Sequence, residues 1–538
     1  MPKRKRAQRP ASESEEDYAV NSDSSYGETS RANVTQKVRK ARKKGHENDG
    51  STVVNSILGH PASMHVIKAV EPMRIALLEW YDRVRDARKM PWRKKFDPSL
   101  DVEGRAQRAY EVWISEIMLQ QTQVVTVIPY YNKWMAKFPT IRDLAASDIE
   151  TVNSLWKGLG YYSRAARLLS GAQKAVKELH DMEAKIPGIG RYSAGAISSI
   201  AYNHCVPVLD GNVHRLLSRF TALHAQPKSK RTLDVLWAGA ESFITQSKRP
   251  GDINQALIEL GSTVCAVRDP VCSECPLRLW CKAYQRTQST ASHTGAIEVD
   301  IEELCLVCDP IPSDEDNGSV TIYPMKTVRK KPREELDSVN VIEWRCRNSR
   351  DRWFLLVRRP QGGLLAGLHE FPTLPNLPGA KASASNMAEI PYTLLQELLM
   401  HPPSPHNNKE PLKKLASSNP SLYNVPKVIQ VTSAGDVVHV FSHIKKTYRV
   451  QWVLLEGNEL PQLRPAVSPD QYARENGSRA KSPKGKQKVS EVSEVKLNTI
   501  PQTLSAQWVP LSQVEDANIG TGVLKAWKLV EKLWTATR

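Results

Sequence analysis

The chain has 538 residues, 40% of them hydrophobic and 25% charged, ordinary values for a globular protein at a length that calls for two to four folded units. No apolar run approaches the ~20 residues of a membrane span, and the N-terminus lacks the apolar core of a secretory signal. The formal net charge of +18 points to a polyanionic partner such as nucleic acid, although basic tails alone raise the charge this far.

Residues 1–62 are rich in Lys, Arg, Ser, Glu and Asp and read as a disordered tail. Pro2-Lys3-Arg4-Lys5-Arg6 and the run from Lys37 to Lys44 are basic clusters of nuclear-localisation type, or a non-specific nucleic-acid tail. Glu13, Glu15, Glu16 and Asp17 interrupt the positive charge of a mitochondrial transit peptide. The expected compartment is the nucleus, with the mitochondrion as a second destination.

From 63 to 283 the apolar pattern is helical. Ile75, Leu78, Trp80 and Tyr81 are expected to begin one amphipathic helix and Val112 to Leu119 another, with Gly158, Gly160, Pro187, Gly188, Gly190, Pro207 and Gly211 as punctuation. A compact all-α domain follows. Residues 284–335 read as a connector. From 336 to 538 the pattern is mixed α/β (α+β): strands over Val339–Val357, Lys427–Val431, Val437–Phe441 and Tyr448–Leu455, and a closing helix near Leu524–Trp534. Polar stretches near 402–420 and 460–500 read as disordered insertions.

Eight cysteines are few for this length and argue against a secreted disulfide scaffold. Four are spaced Cys265-x6-Cys272-x2-Cys275-x5-Cys281, dense enough to hold a structural zinc or an iron–sulfur cluster, and spacing alone does not choose. In Ile186-Pro187-Gly188-Ile189-Gly190 the glycines let backbone approach a phosphate, and the next helix offers free N–H groups. A bare Pro-Gly-x-Gly is also an ordinary turn. Asp210 stands at a helix start, where a capping role is the plain alternative to chemistry. Glu116 lies among Trp113, Ile117 and Leu119 on a nearly uncharged segment, where burial raises a carboxyl pKa and keeps a proton available.

The string Val112-Trp113-Ile114-Ser115-Glu116-Ile117-Met118-Leu119-Gln120-Gln121-Thr122-Gln123-Val124 resembles the signature of the MutY-type adenine DNA glycosylases. Gly158-Leu159-Gly160-Tyr161-Tyr162-Ser163-Arg164, Val208-Leu209-Asp210-Gly211-Asn212-Val213 and Asn254-Gln255-Ala256-Leu257 resemble it too. The likeness covers roughly 66–283 and resumes in the C-terminal half. It implies a helix-hairpin-helix domain whose loop 265–281 holds a [4Fe-4S] cluster. Glu116 would be the acid and Asp210 the stabiliser of the sugar cation, with Asn212 and Tyr192 orienting them. Trp92, Arg93 and Leu119 would line the adenine pocket. Gln120, Gln121, Tyr161, Gly188, Gly190, Gln255 and Arg268 would meet DNA, Gln121 and Tyr161 as wedges.

Arg358-Arg359-Pro360 followed by Gly363 to Pro372 is similar to the opening of a Nudix domain, but the Glu-rich metal-binding helix of the hydrolases is absent, so this half should recognise and not hydrolyse. Phe441, Ser442 and His443 lie where the family reads 8-oxoguanine. Cys305 and Cys308, with His65, resemble the zinc connector of animal relatives; Glu298 stands where those have a third cysteine, and His293 is a candidate substitute. Only His180 to Lys185 separate Leu179 from Ile186, shorter than the family norm.

The implied activity is removal of adenine mispaired with 8-oxoguanine or guanine in double-stranded DNA, by a monomer with no membrane association. A sliding clamp and a checkpoint clamp are the implied protein partners. The rivals are a bifunctional glycosylase/lyase, which needs an amine nucleophile where Tyr192 stands, a non-catalytic damage binder, for which Glu116 or Asp210 should be lost, and a Nudix hydrolase, which lacks its signature.

Overall fold

A computed structural model describes residues 60–178, 186–288, 303–312, 318–327, 331–347, 349–360, 365–378, 384–403, 425–441, 443–465 and 505–536. The tail to residue 59, the short stretch 180–185, His293, Glu298, Ser442 and most of the two polar insertions fall outside these residues. Two compact units emerge: 1–143 with 174–328, and 144–173 with 329–538.

The helices in chain order are α1 (Glu71–Val84), α2 (Val102–Leu119), α3 (Val124–Lys137), α4 (Ile141–Ala145), α5 (Ile149–Trp156), α6 (Ser163–Lys177), α7 (Arg191–Tyr202), α8 (Gly211–Phe220), α9 (Lys230–Ile244), α10 (Pro250–Thr263), α11 (Lys282–Gln288), α12 (Ala384–Leu398) and α13 (Thr521–Ala536). Among the described residues no helix is long and apolar enough to cross a membrane.

In the first unit α1, α8, α9 and α10 close around Leu77, Tyr81, Leu217, Phe243 and Leu257. The helical phase of α1 buries Met73, Leu77, Trp80 and Tyr81 and leaves Ile75, expected in this amphipathic helix, 52% exposed. Residues 112–119 form the end of α2, not its beginning. Asp101 starts that helix by accepting from the Gly104 amide at 2.7 Å, and the polar first turns (Glu103, Arg105, Gln107) carry no apolar period to betray it. Gly261 is required where α10 crosses the start of α8: a Cβ there would lie 2.7 Å from the Asn212 carbonyl oxygen.

The second unit holds a mixed sheet of β1 (Arg333–Cys346), β2 (Arg352–Arg358), β3 (His369–Glu370), β4 (Thr373–Leu374), β5 (Lys427–Val440), β6 (Ile444–Gly457) and β7 (Ala506–Pro510). The order is β3-β2-β1-β6-β5, with β4 on β1 and β7 on β2. β1 and β6 run parallel with Val339 beside Val450; the other pairs are antiparallel. One face packs Val339, Val341, Phe354, Val450 and Trp527 of α13; the other packs Ile342, Leu355, Val453 and Leu395 of α12. This is the helix-flanked α+β arrangement expected of the C-terminal half. The single strand expected over 339–357 is broken into β1 and β2 by the polar turn after Cys346, and the two short strands expected at 427–441 are one, β5, whose bulges absorb the polar middle. Helix α12 escaped the sequence reading because Pro391 lies inside it.

Candidate active site and metal centres

Glu116 projects from the last turns of α2 and accepts a hydrogen bond at Oε2 from the hydroxyl of Tyr192, on the first turn of α7, at 2.6 Å. Burial pushes the Glu116 carboxyl up to about 7, against the pull of Tyr192, and Asp210 adds to the rise while Arg93 opposes it. Asp210 is the N-cap of α8: Oδ1 accepts from the Val213 amide at 2.7 Å, and Oδ2 accepts from Asn212 Nδ2 at 2.9 Å. Burial raises Asp210 also, opposed by those two donors and by Arg215. Asp210 therefore caps α8 through Oδ1 while Oδ2 is held by Asn212, and all four expected catalytic side chains belong to the first unit.

Two further arginines on α8 escaped the sequence reading. Arg215 donates to Asn212 Oδ1 at 2.9 Å and to the Cys265 carbonyl at 3.0 Å. Arg219, 2% exposed, donates to Cys265 Sγ at 3.3 Å and to the Ala266, Val267 and Tyr323 carbonyls at 2.7, 2.9 and 3.0 Å. Hydrogen bonds thus run from Asp210 through Asn212 and Arg215 to the first cysteine. The available signal was His214-Arg215-Leu216-Leu217-Ser218-Arg219: two arginines one turn apart on a helix otherwise buried, which a core admits only when carbonyls or acids meet them.

The residues expected at an adenine pocket have the following surroundings. Trp92 is 6% exposed and meets Tyr131 edge-on at 5.1 Å. Arg93 donates to Glu259 Oε2 at 2.7 Å and to the Arg85 carbonyl at 3.1 Å. Glu259, unforeseen, is 2% exposed and also receives Arg88; a glutamate inside the apolar face of α10 was the clue to it. Leu119 closes α2 beside Gln120.

Among the expected DNA contacts, Gln121 and Tyr161 are both non-glycine residues in the left-handed region, at φ of 55° and 48°. Both are exposed, Tyr161 to 40%. Strain of this kind survives where surrounding structure holds it and often marks a working surface. Gly188 turns with φ of 82°, and Gly190 starts α7 with no side-chain cap, leaving amides open to a phosphate. Arg268 is exposed, whereas Gln255 turns inward, 9% exposed, and donates to the Gly251 carbonyl at 3.1 Å. In the second unit, Phe441 and His443 flank the β5–β6 turn; Phe441 packs edge-on against His439 at 4.5 Å, and the His443 carbonyl accepts from the Arg333 amide at 2.9 Å.

Cys265, Cys272, Cys275 and Cys281 stand around one cavity, walled also by Leu216, Phe220, Leu277, Val320 and Arg219. None is in a disulfide. Burial pushes the Cys272 thiol up, Cys275 to about 12 and Cys281 to about 11, so this pocket favours thiolates only when a bound cation repays their desolvation.

A second group joins His60, His65, Cys305 and Cys308, whose ligand atoms lie within 4.8 Å of one another. Pro61 pairs with Leu304 to bring the segments together. His65 Nδ1 lies 3.0 Å from the Thr221 carbonyl, which selects the tautomer that aims the lone pair of Nε2 at His60, Cys305 and Cys308, at 3.0, 3.4 and 3.3 Å. His60, which the sequence reading did not name, joins the group, while His293 lies outside the described residues. His60 fell within the stretch read as tail, and a lone histidine there carries no signal.

Glu116, buried and bonded to Tyr192, and Asp210, at the start of α8, both lie in a stretch whose family match is to base-excision DNA repair proteins. Residues 114–241 match the family described as HhH-GPD superfamily base excision DNA repair protein. The chain is 40% identical over 406 residues to the adenine DNA glycosylase of Rattus norvegicus, a span of 73% of this chain and 72% of that one. It is 41% identical over 410 residues to that of Homo sapiens, 73% and 68% of the two chains. For Schizosaccharomyces pombe the identity is 38% over 407 residues, 72% and 82% of the two chains. The chain belongs to the MutY family of adenine DNA glycosylases, and its activity is release of adenine from DNA in base-excision repair.

Proposed function

We propose that the enzyme acts on adenine opposite 8-oxoguanine, or more weakly opposite guanine, and is monofunctional. The observation that carries this reading is the Glu116 carboxyl, which burial raises to about 7, against the hydrogen bond from Tyr192, so that a proton is available near neutral pH. Adenine is first flipped from the duplex, at a cost of a few kcal/mol, with Gln121 and Tyr161 entering the stack. Glu116 gives its proton to a ring nitrogen. The base then leaves neutral with the glycosidic electron pair, and ionised Asp210 stabilises the sugar cation, by charge or by transient covalent attachment. Water adds to the sugar and returns a proton to Glu116. Asn212 fixes Asp210, and Tyr192 stands where a lyase would need lysine.

Cys265, Cys272, Cys275 and Cys281, four thiols around one cavity, would hold the [4Fe-4S] cluster that the family resemblance assigns to this spacing. Bound there, it would supply fixed charge and a cross-link for the DNA-facing loop of Arg268. His60, His65, Cys305 and Cys308 would hold Zn²⁺ in a tetrahedral site, the chemistry of two imidazoles and two thiolates. We place Phe441, Ser442 and His443 at the 8-oxoguanine, the enzyme in the nucleus on the basic clusters near Lys3 and Lys40, and a sliding clamp and a checkpoint clamp among its partners by family resemblance.

The test is single-turnover reaction of the full chain with an adenine:8-oxoguanine duplex, with alkali to reveal abasic sites and borohydride in parallel. Abasic product without a trapped adduct is expected. No product, or strong trapping at the rate of turnover, overturns the reading.

A further inference from the structure

Helix α5 and the turn that follows it lie in the same compact unit as the C-terminal sheet. Two contacts hold the helix at its opposite ends. In its first turn, Glu150 Oε1 pairs with Arg358 Nη2 on β2 at 2.8 Å, while Asn518 Nδ2 donates to the Glu150 carboxylate and, at 3.1 Å, to its carbonyl. At its C-cap, Lys157 Nζ donates to the Ala517 carbonyl at 3.1 Å and to that of Glu515. Each charge also complements the helix dipole at its end. The 515–519 loop is itself stitched to the sheet: the His369 amide of β3 donates to the Asn518 carbonyl at 2.8 Å, and Ile519 bridges to His369.

No slack separates this clasp from Tyr161. The intervening turn runs through Gly158 and Gly160 at φ of 95° and 75°. Trp156 Nε1 donates to the Gly160 carbonyl at 2.8 Å, and the Gly158 amide donates to the Tyr162 hydroxyl at 3.2 Å. Arg164 donates to the Leu159 and Gly160 carbonyls at 3.3 and 3.2 Å and lies over the Trp156 and Tyr161 rings.

We propose that the loop 515–519 and Arg358 clasp α5 at both ends so that the Tyr161 wedge and the C-terminal sheet meet the mispaired duplex as one body. The inference rests on the reading above, in which Tyr161 enters the stack and Phe441–His443 read the opposite base. A wedge rigidly tied to the reader enters only where the reader is seated, and this converts recognition of the opposite base into a preference in excision.

The experiment uses full-length wild type, Glu150→Arg, Arg358→Glu and the double swap, with single-turnover rates on adenine:8-oxoguanine and adenine:guanine duplexes. Each single change should lower the preference for 8-oxoguanine about fivefold, equivalent to ~1 kcal/mol, with little change on adenine:guanine. The double swap should restore part of it, because the ion pair with residue 358 returns while the Asn518 bond to the Glu150 carboxylate does not. Local hydrogen exchange of residues 156–163 should rise in the single variants and return in part in the swap. Single variants that keep the wild-type preference, or a swap that restores nothing, overturn the clasp. A wild type with no preference between the two duplexes overturns the underlying reading instead.

Discussion

The Tyr192 hydroxyl donates a hydrogen bond to Glu116 Oε2 at 2.6 Å, so the first turn of α7 positions the buried carboxyl at the end of α2. The bond favours the charged carboxylate and works against the burial that raises its pKa to about 7.

Removing that bond should raise the Glu116 pKa further. For wild type, the excision rate should fall about tenfold per pH unit once pH passes about 7, as the acid is lost. Tyr192→Phe should move this alkaline limb to higher pH while lowering the plateau, because the acid is no longer oriented. A pH–rate profile checks it; a limb that stays in place means another group titrates.

Glu116→Gln should abolish adenine release and leave duplex binding nearly intact, since shape is kept and the proton is not. It should also stabilise the fold at alkaline pH. A raised carboxyl pKa means the native state holds a proton that the unfolded chain has shed, so stability falls as pH rises from the ordinary carboxylate range to about 7. The variant escapes that loss. Its melting temperature should exceed that of wild type at pH 8 and match it near pH 4. An equal difference at both pH values would place its origin in packing.

Metal analysis of the purified chain should return four irons and one zinc, with broad absorbance near 400 nm, as the resemblance implies. Cys275→Ser should lose iron. His60→Ala should lose zinc and keep iron, because His60 joins only the second group. A colourless protein with zinc in place of iron overturns the cluster, and a full zinc content in His60→Ala overturns its role as ligand.

Alanine at both Ser442 and His443 should reduce the preference for 8-oxoguanine over guanine roughly tenfold, since a lost base-edge hydrogen bond is worth about 1–3 kcal/mol. Intrinsic chemistry should change less, because Glu116 with Tyr192 and Asp210 with Asn212 are held by bonds within the first unit. Single-turnover rates on the two duplexes decide it; an unchanged ratio assigns the reading to other residues.

Local patterns marked Glu116, Asp210 and the four cysteines as candidates, and the resemblance to the MutY-type glycosylases gave them their roles. A carboxyl in an apolar helix, an aspartate before a helix start and dense thiols each carry their chemistry within a few residues of chain. The α+β character of the C-terminal half was legible too, from the alternation of strands such as Phe354 to Val357. Turns were harder to place: the break after Cys346 and the continuity of β5 depend on which strands pair, and pairing is not written in period-two alternation. What only the tertiary structure decided are relations between distant segments. His60 meets Cys305, Arg219 meets Cys265 and Tyr323, Glu259 meets Arg93, and Glu150 meets Arg358 and Asn518. Each is a single polar side chain whose meaning depends on a partner brought close by packing. A buried or clasped charge is tolerated only where that partner arrives, and the fold, not the neighbouring sequence, supplies it.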